Sequence, residues 1–199
     1  MKTITGLFDS YSDAKAAVSN LEAAGIASRD ISIVSNNGDG RYKDDDNNAA
    51  EGAGTGAGIG AGIGGAGGLL TGLGLLAIPG VGPVVAAGWL AATAAGAAAG
   101  AVVGGATGGI IGALTDNGVS ESDAHVYAEG LRRGGTLVTA RVDETRQAEA
   151  EAILKGSNWV DPSLRRRNYE EGGWRGFDPA LDPYTADQIA ADRARYPRV

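Results

Sequence analysis

Residues 52–115 of this 199-residue chain carry no charged side chain, although Glu51 and Asp116 bracket them directly. Within this stretch glycine recurs at every fourth position, at Gly52, Gly56, Gly60, Gly64, Gly68 and Gly72. It does so again at Gly96, Gly100, Gly104, Gly108 and Gly112, with Gly88 and Ala92 extending the second series backwards. Residues four apart share one face of a helix, so each series predicts a helix with a groove free of side chains, into which another helix can come close. Between the two series Pro79, Gly80, Gly82 and Pro83 break a helix and predict a turn. The pattern is that of a glycine zipper, and residues 49–117 are expected to form an α-helical hairpin.

Such a hairpin needs help to form. Twelve glycines lie between residues 52 and 78 and eight between 84 and 115. Each costs ~0.8–1.0 kcal/mol relative to Ala in a solvated helix, so about 16–20 kcal/mol opposes helicity. Either a lipid core, where backbone groups have no water to bond, or dense helix packing among many copies must offset that. At 1.5 Å per residue the arms would run ~40 and ~48 Å, long enough for a hydrocarbon core of ~30 Å. The bulky apolar residues, Leu69, Leu70, Leu73, Leu75 and Leu76, cluster near the turn, and the turn itself has no charged anchor. A buried tip suits an assembly core, with a membrane-embedded hairpin as the alternative. The same leucines, with Ile110, Ile111 and Trp89, argue against a flexible linker. The run Gly62-Ile63-Gly64-Gly65-Ala66-Gly67 matches a dinucleotide fingerprint, but no strand precedes it and a Gly-rich chain meets that pattern by chance.

The flanks read differently. Residues 3–8 predict a strand, Ser10 or Ser12 caps a helix carrying Ala14, Ala17, Val18 and Leu21 that Gly25 stops, and Ile31-Ser32-Ile33-Val34 predicts a second strand. Residues 43–48 form a polar, acidic linker. After the hairpin Ser120 and Asp123 suggest a capping box on a helix that Gly134 and Gly135 close. Residues 136–142 predict a strand, Asp143 caps a helix over 144–154, and 158–160 is a short extended piece. The order βαβ then βαβ predicts an α+β, ferredoxin-like (split βαβ) domain, built from residues 1–48 and 118–161, with the hairpin inserted between its second and third strands.

From residue 162 to 199 the chain is expected to be an extended tail with one short helix over 185–195, because three Asp-Pro pairs bias it away from helix. Disordered tails are poor in aromatics, yet this one holds Tyr169, Trp174, Phe177, Tyr184 and Tyr196. It therefore predicts a clasp with Trp174, Phe177 and Tyr184 as anchors, one of them against another copy.

Chemistry is sparse. There is no Cys, and the single His125, beside Asp123 and Glu129, has no second His to ligate a metal with, so it is expected to be structural. Asp39 and Asp44–Asp46 lack the spacing of a calcium loop. Arg165–Arg167 are expected to pair with neighbouring carboxylates. No nucleophile with its acid and base is visible, so no catalytic, cofactor-binding or metal residues are assigned, and the chain is expected not to be an enzyme. A formal net charge of -7 disfavours nucleic acid, and no small-molecule substrate is evident. The start of the chain has no apolar signal core, which points to the cytoplasm, with the inner membrane as an associated surface.

Together Gly6-Leu7-Phe8-Asp9, the 31–34 strand, the central hairpin and the return through Gly118-Val119 to Thr136-Leu137-Val138 resemble the general stress protein 17M-like family, also called heat-induced stress protein YflT-like. The resemblance covers roughly residues 1–155, and segments of the tail, Gly173-Trp174, Phe177-Asp178-Pro179 and Pro183-Tyr184-Thr185, are similar to C-terminal extensions of some bacterial members. It implies a bacterial stress-associated protein with no assigned chemistry; the glycine lattice, for its part, predicts that the partner is another copy of the chain.

Overall fold

The computed structural model describes residues 1–38, 74–93 and 109–195. Its centre is a five-stranded antiparallel sheet in the order β1-β5-β2-β4-β3, formed by β1 (Lys2–Phe8), β2 (Ile31–Asn36), β3 (Gly74–Ile78), β4 (Gly82–Gly88) and β5 (Thr136–Val142). β5 lies between β1 and β2 and runs against both, with Thr5 opposite Thr139 and Thr139 opposite Ser32. Strands with alternating burial can be covered on either face, and here both faces are covered.

One face carries α1 (Tyr11–Ala23) and α4 (Gln147–Lys155), which enclose Ile4, Phe8, Ile31, Ile33, Val138 and Ala140. The Ser10 hydroxyl accepts from the N–H groups of Ser12 and Asp13 and starts α1. The start of α4 differs from expectation: residues Glu144–Arg146 form a 3-10 turn, Asp143 makes no side-chain cap, and the α-helix begins at Gln147. The other face carries α2 (Ile110–Thr115) and α3 (Glu121–Arg132), packed with Leu90 and Phe177 over Leu7, Val34, Val84 and Leu137. Ser120 caps α3 by accepting from Asp123 N–H, and its own hydroxyl donates to the Asp123 carboxylate at 2.7 Å.

The expected helical hairpin is overturned over residues 74–88. Residues 74–88 form a β-hairpin that adds two strands to the sheet, with Gly74 opposite Ala86 and Ile78 opposite Gly82. The predicted turn is present at residues 79–81, but it joins strands. Two causes favour β here: Ile78, Val84 and Val85 are β-branched, and β2 offers an edge for Val84–Gly88 to pair with. Gly88, assigned to the helix-packing lattice, ends β4 at φ +90°, and a Cβ there would lie 2.3 Å from the Ile31 carbonyl oxygen. It is glycine so that two backbones can meet. Residues 89–93 are helical, and Gly112 lies within α2. Gly52, Gly56, Gly60, Gly64, Gly68, Gly72, Gly96, Gly100, Gly104 and Gly108, like the acidic linker, lie outside the described residues.

The tail is also corrected. α5 (Pro162–Glu171) and α6 (Ala186–Arg195) make it largely helical. Asp161 is the N-cap of α5 in an extended conformation, its carboxylate accepts from Ser163 and Leu164 N–H, and Pro162 takes the first helical position. An Asp-Pro pair disfavours helix before the proline and favours it afterwards, so the same dipeptide opens a helix here. α6 keeps the expected box: Thr185 N–H donates to Gln188 Oε1, and Gln188 N–H donates to Thr185 Oγ1.

Candidate functional site at the tail clasp

The densest polar cluster among the described residues joins α3 to the tail, around the carboxylate of Glu129. This side chain is fully buried. It accepts from Arg133 Nε at 2.6 Å and from Arg132 Nη1 at 3.3 Å, and Arg133 passes the contact on by donating from Nη1 to Asp192 of α6 at 2.9 Å. A buried carboxylate is tolerated only when it is paired and hydrogen-bonded. The (i, i+3) and (i, i+4) spacings on α3 supply both cations from one helix.

Aromatic rings from the tail finish the cluster. The Arg133 guanidinium lies 4.2 Å from the Tyr169 ring centroid and 5.3 Å from that of Tyr184, and Arg132 lies 4.9 Å from Tyr184. Trp174 meets Tyr169 edge to face at 5.7 Å. Burial opposes the charge on Arg133, but Glu129 and Asp192 outweigh it and hold the guanidinium charged. Arg165 behaves likewise: burial works against its charge, while its paired bonds to Asp9 at 2.9 and 2.7 Å and its neighbour Tyr169 outweigh that. Burial raises the Tyr169 hydroxyl well above the tyrosine range, against the opposing pull of Arg165 and Arg133. These are fixed charges, and they hold a chain segment in place.

A second set of contacts lays the tail across the β-hairpin. Phe177 is buried in the core between α3 and the sheet, and its N–H donates to Nδ1 of His125 at 3.1 Å. Beyond it, a Cβ on Gly80 would lie 2.7 Å from Pro179 Cα, and one on Gly82 would lie 2.7 Å from Pro183 Cβ. Further on, Gly134 at φ +94° lets Ile189 approach so closely that a Cβ would come within 2.4 Å of its Cγ2, and Arg193 donates to the Gly134 carbonyl at 2.7 Å. Asn36 ties the floor together: it is buried and donates from Nδ2 to the Leu131 carbonyl at 2.9 Å, while Asn37 N–H donates to the Pro83 carbonyl at 2.8 Å.

The expected anchors therefore converge on one surface of their own chain, Phe177 buried and Trp174 and Tyr184 half-buried. Two of the three expected arginines find carboxylates, Arg165 with Asp9 and Arg166 with Asp123 at 2.7 Å. Sequence reasoning missed Glu129, Arg132, Arg133 and Asp192. Their only local signal is a carboxylate three and four residues before two arginines, which is common on solvated helices. Among the described residues no group of three His, Cys, Asp or Glu side chains is placed to hold a metal. The fold and clasp define an α+β domain with a covering tail. Comparison of the chain with known families, with characterised proteins and with solved structures gives no match.

Proposed function

We propose that this chain is a non-enzymatic structural protein that self-assembles into a homo-oligomer or filament through its glycine-rich segment, with the acidic α+β domain outside and the tail as a clasp. The observation that carries this reading is the 52–115 stretch without charge, together with how its middle meets the domain. Because Gly74 lies opposite Ala86, the chain enters and leaves the β-hairpin at the same end. We read the glycine series on either side of the hairpin as packing groove to groove.

We read the domain itself as ferredoxin-like. Support comes from β5 lying between β1 and β2, from α1 and α4 sharing one face, and from Val160 bridging to Leu7 on the far side of β1, where a fourth strand would run. The resemblance to the general stress protein 17M-like family makes a bacterial, cytoplasmic, stress-associated role part of the same proposal. A membrane-anchored hairpin is the weaker reading, because Phe177, Pro179 and Pro183 sit on the turn that would have to enter lipid. Among the described residues no helix is long and apolar enough to cross a membrane.

Sedimentation velocity of the full chain in detergent-free buffer tests the proposal. The wild type is expected to sediment as an assembly, and replacing Gly60, Gly64, Gly104 and Gly108 together by Leu to reduce its size. A wild type that remains monomeric across the micromolar range, or a variant of unchanged size, overturns it.

A further inference from the structure

The outer edge of β1 begins a strand lane that the chain abandons after one residue. Val160 N–H donates to the Leu7 carbonyl at 2.7 Å in an antiparallel bridge, so the main chain of Leu7 points away from β5. Two residues earlier the Thr5 carbonyl points the same way and, among the described residues, receives only the Tyr127 hydroxyl, at 3.4 Å. Main-chain orientation repeats every second residue in an antiparallel strand, which puts Thr3 on this edge as well. The residues that would continue the lane beside Gly6 and Thr5 are Asp161 and Pro162. Pro162 has no N–H to give, and Asp161 caps α5, so the chain turns away.

What remains beside Thr3 and Thr5 is a cleft of about 280 Å³. Its walls come from both helical layers: Tyr127 of α3 on one side, Glu151, Leu154 and Lys155 of α4 on the other, with Trp159 and Pro162 closing the end. The Thr5 hydroxyl is buried without a hydrogen-bond partner, and a buried polar group left unpaired is costly. The recess matters for what can enter. Two copies cannot pair edge to edge when each edge lies below its own helices, whereas a single extended peptide can.

We propose that the β1 edge and this cleft form a docking site for one extended peptide segment, which adds to the sheet antiparallel to β1 and prolongs the lane that Val160 begins. Main-chain bonds to Thr5 and Thr3 would hold it, as in strand addition generally. Side chains alternate across a strand, so the residue opposite Ile4 faces Leu154 and Trp159 and is apolar. The residue opposite Thr5 faces Tyr127 and the unpaired hydroxyl, and is a small hydroxyl residue such as Ser or Thr. The partner is therefore a segment that alternates hydroxyl and apolar residues, and this inference is independent of how the glycine-rich segment assembles.

Hydrogen exchange of the full chain, read by mass spectrometry over residues 2–7, tests it with the blocked peptide Thr-Val-Thr-Val as probe. At a peptide concentration four times its Kd, exchange of the outward amides is expected to slow about fivefold. Thr3→Pro removes one outward donor from an edge strand, where proline is tolerated, and is expected to weaken the protection without changing the thermal midpoint. Trp159→Ala is expected to weaken it through the end wall. No change in exchange, equal protection by Thr-Pro-Thr-Pro, or protection that rises with protein concentration alone each overturns the proposal. The last of these would mean that a second copy takes the edge.

Discussion

Phe177 N–H donates to Nδ1 of His125 at 3.1 Å, so the one histidine of the chain holds the backbone of the tail at the point where the tail enters the core. The bond requires a lone pair on Nδ1, which fixes the neutral ring as the tautomer protonated on Nε2. His125→Ala removes the acceptor and leaves the Phe177 N–H without its partner. The expected loss is about 1–3 kcal/mol, read as a lower urea midpoint, with faster tryptic cleavage after the exposed Arg175. Unchanged cleavage would show that Phe177 burial alone secures the strap.

Glu129 links the clasp to the domain through Arg132 and Arg133. Removing one partner of a buried pair leaves the other uncompensated, so Glu129→Ala is expected to cost about 3–5 kcal/mol. Replacing Glu129, Arg133 and Asp192 together by apolar residues of similar volume is expected to cost less than that single change. Equilibrium denaturation of both variants decides the matter, and equal losses would mean that the cost of Glu129→Ala is not that of leaving a buried cation unpaired.

Gly88 separates two accounts of the glycine-rich segment. As a position in a helix-packing groove, its change to Ala would alter assembly. In the structure a Cβ at Gly88 meets the Ile31 carbonyl oxygen and the Ser32 backbone, so Gly88→Ala is expected to detach β4 from β2 and lower stability by at least about 2 kcal/mol. Thermal unfolding beside sedimentation distinguishes them, since a smaller particle with unchanged stability would restore the helical reading.

Gly134 and Ile189 form a pair of complementary shape. Gly134→Ala is expected to push α6 away, costing about 1–3 kcal/mol. In the Ile189→Ala background the steric part of that loss should shrink, leaving the penalty of the positive φ. A double-mutant cycle showing simple additivity would place the strain elsewhere.

Among the described residues, Tyr127 and Tyr169 are expected to make stability fall at alkaline pH. Burial raises the Tyr127 hydroxyl far above its usual range, reinforced by Asp123 and Asp161, and burial raises Tyr169 likewise. A group whose folded value is raised contributes stability that is fully present below its unfolded value and is lost as pH rises above it. From about pH 10 upward each tyrosine should therefore remove roughly 1.4 kcal/mol per pH unit, because the unfolded chain ionises first. Urea midpoints between pH 8 and 11 measure the slope, and Tyr127→Phe should reduce it by about half.

The features that the sequence by itself determined are local. The strand patterns of residues 3–8, 31–34 and 136–142, a serine cap at Ser10 or Ser12 and another at Ser120, a turn between Pro79 and Pro83 and the Thr185–Gln188 box all depend on neighbours within a few positions. The structure has a strand, cap, turn or box at each, with β1 and β2 running slightly longer and Ser10 as the first cap. Tertiary structure decided the rest. Residues 74–88 lie between two glycine series whose spacing suits a helix groove, but an open edge on β2 and the β-branched Val84 and Val85 made them strands, since packing overrides weak local preference. Residues 162–171 carry an Asp-Pro start that suits either an extended chain or a helix, and Arg165 and Tyr169 found Asp9 and Arg133 to settle it. The buried Glu129–Arg133–Asp192 chain spans residues 63 positions apart. Its local signal, a carboxylate three and four residues before two arginines, is shared with solvated helices, because whether a carboxylate is solvated or buried depends on which segments fold over it.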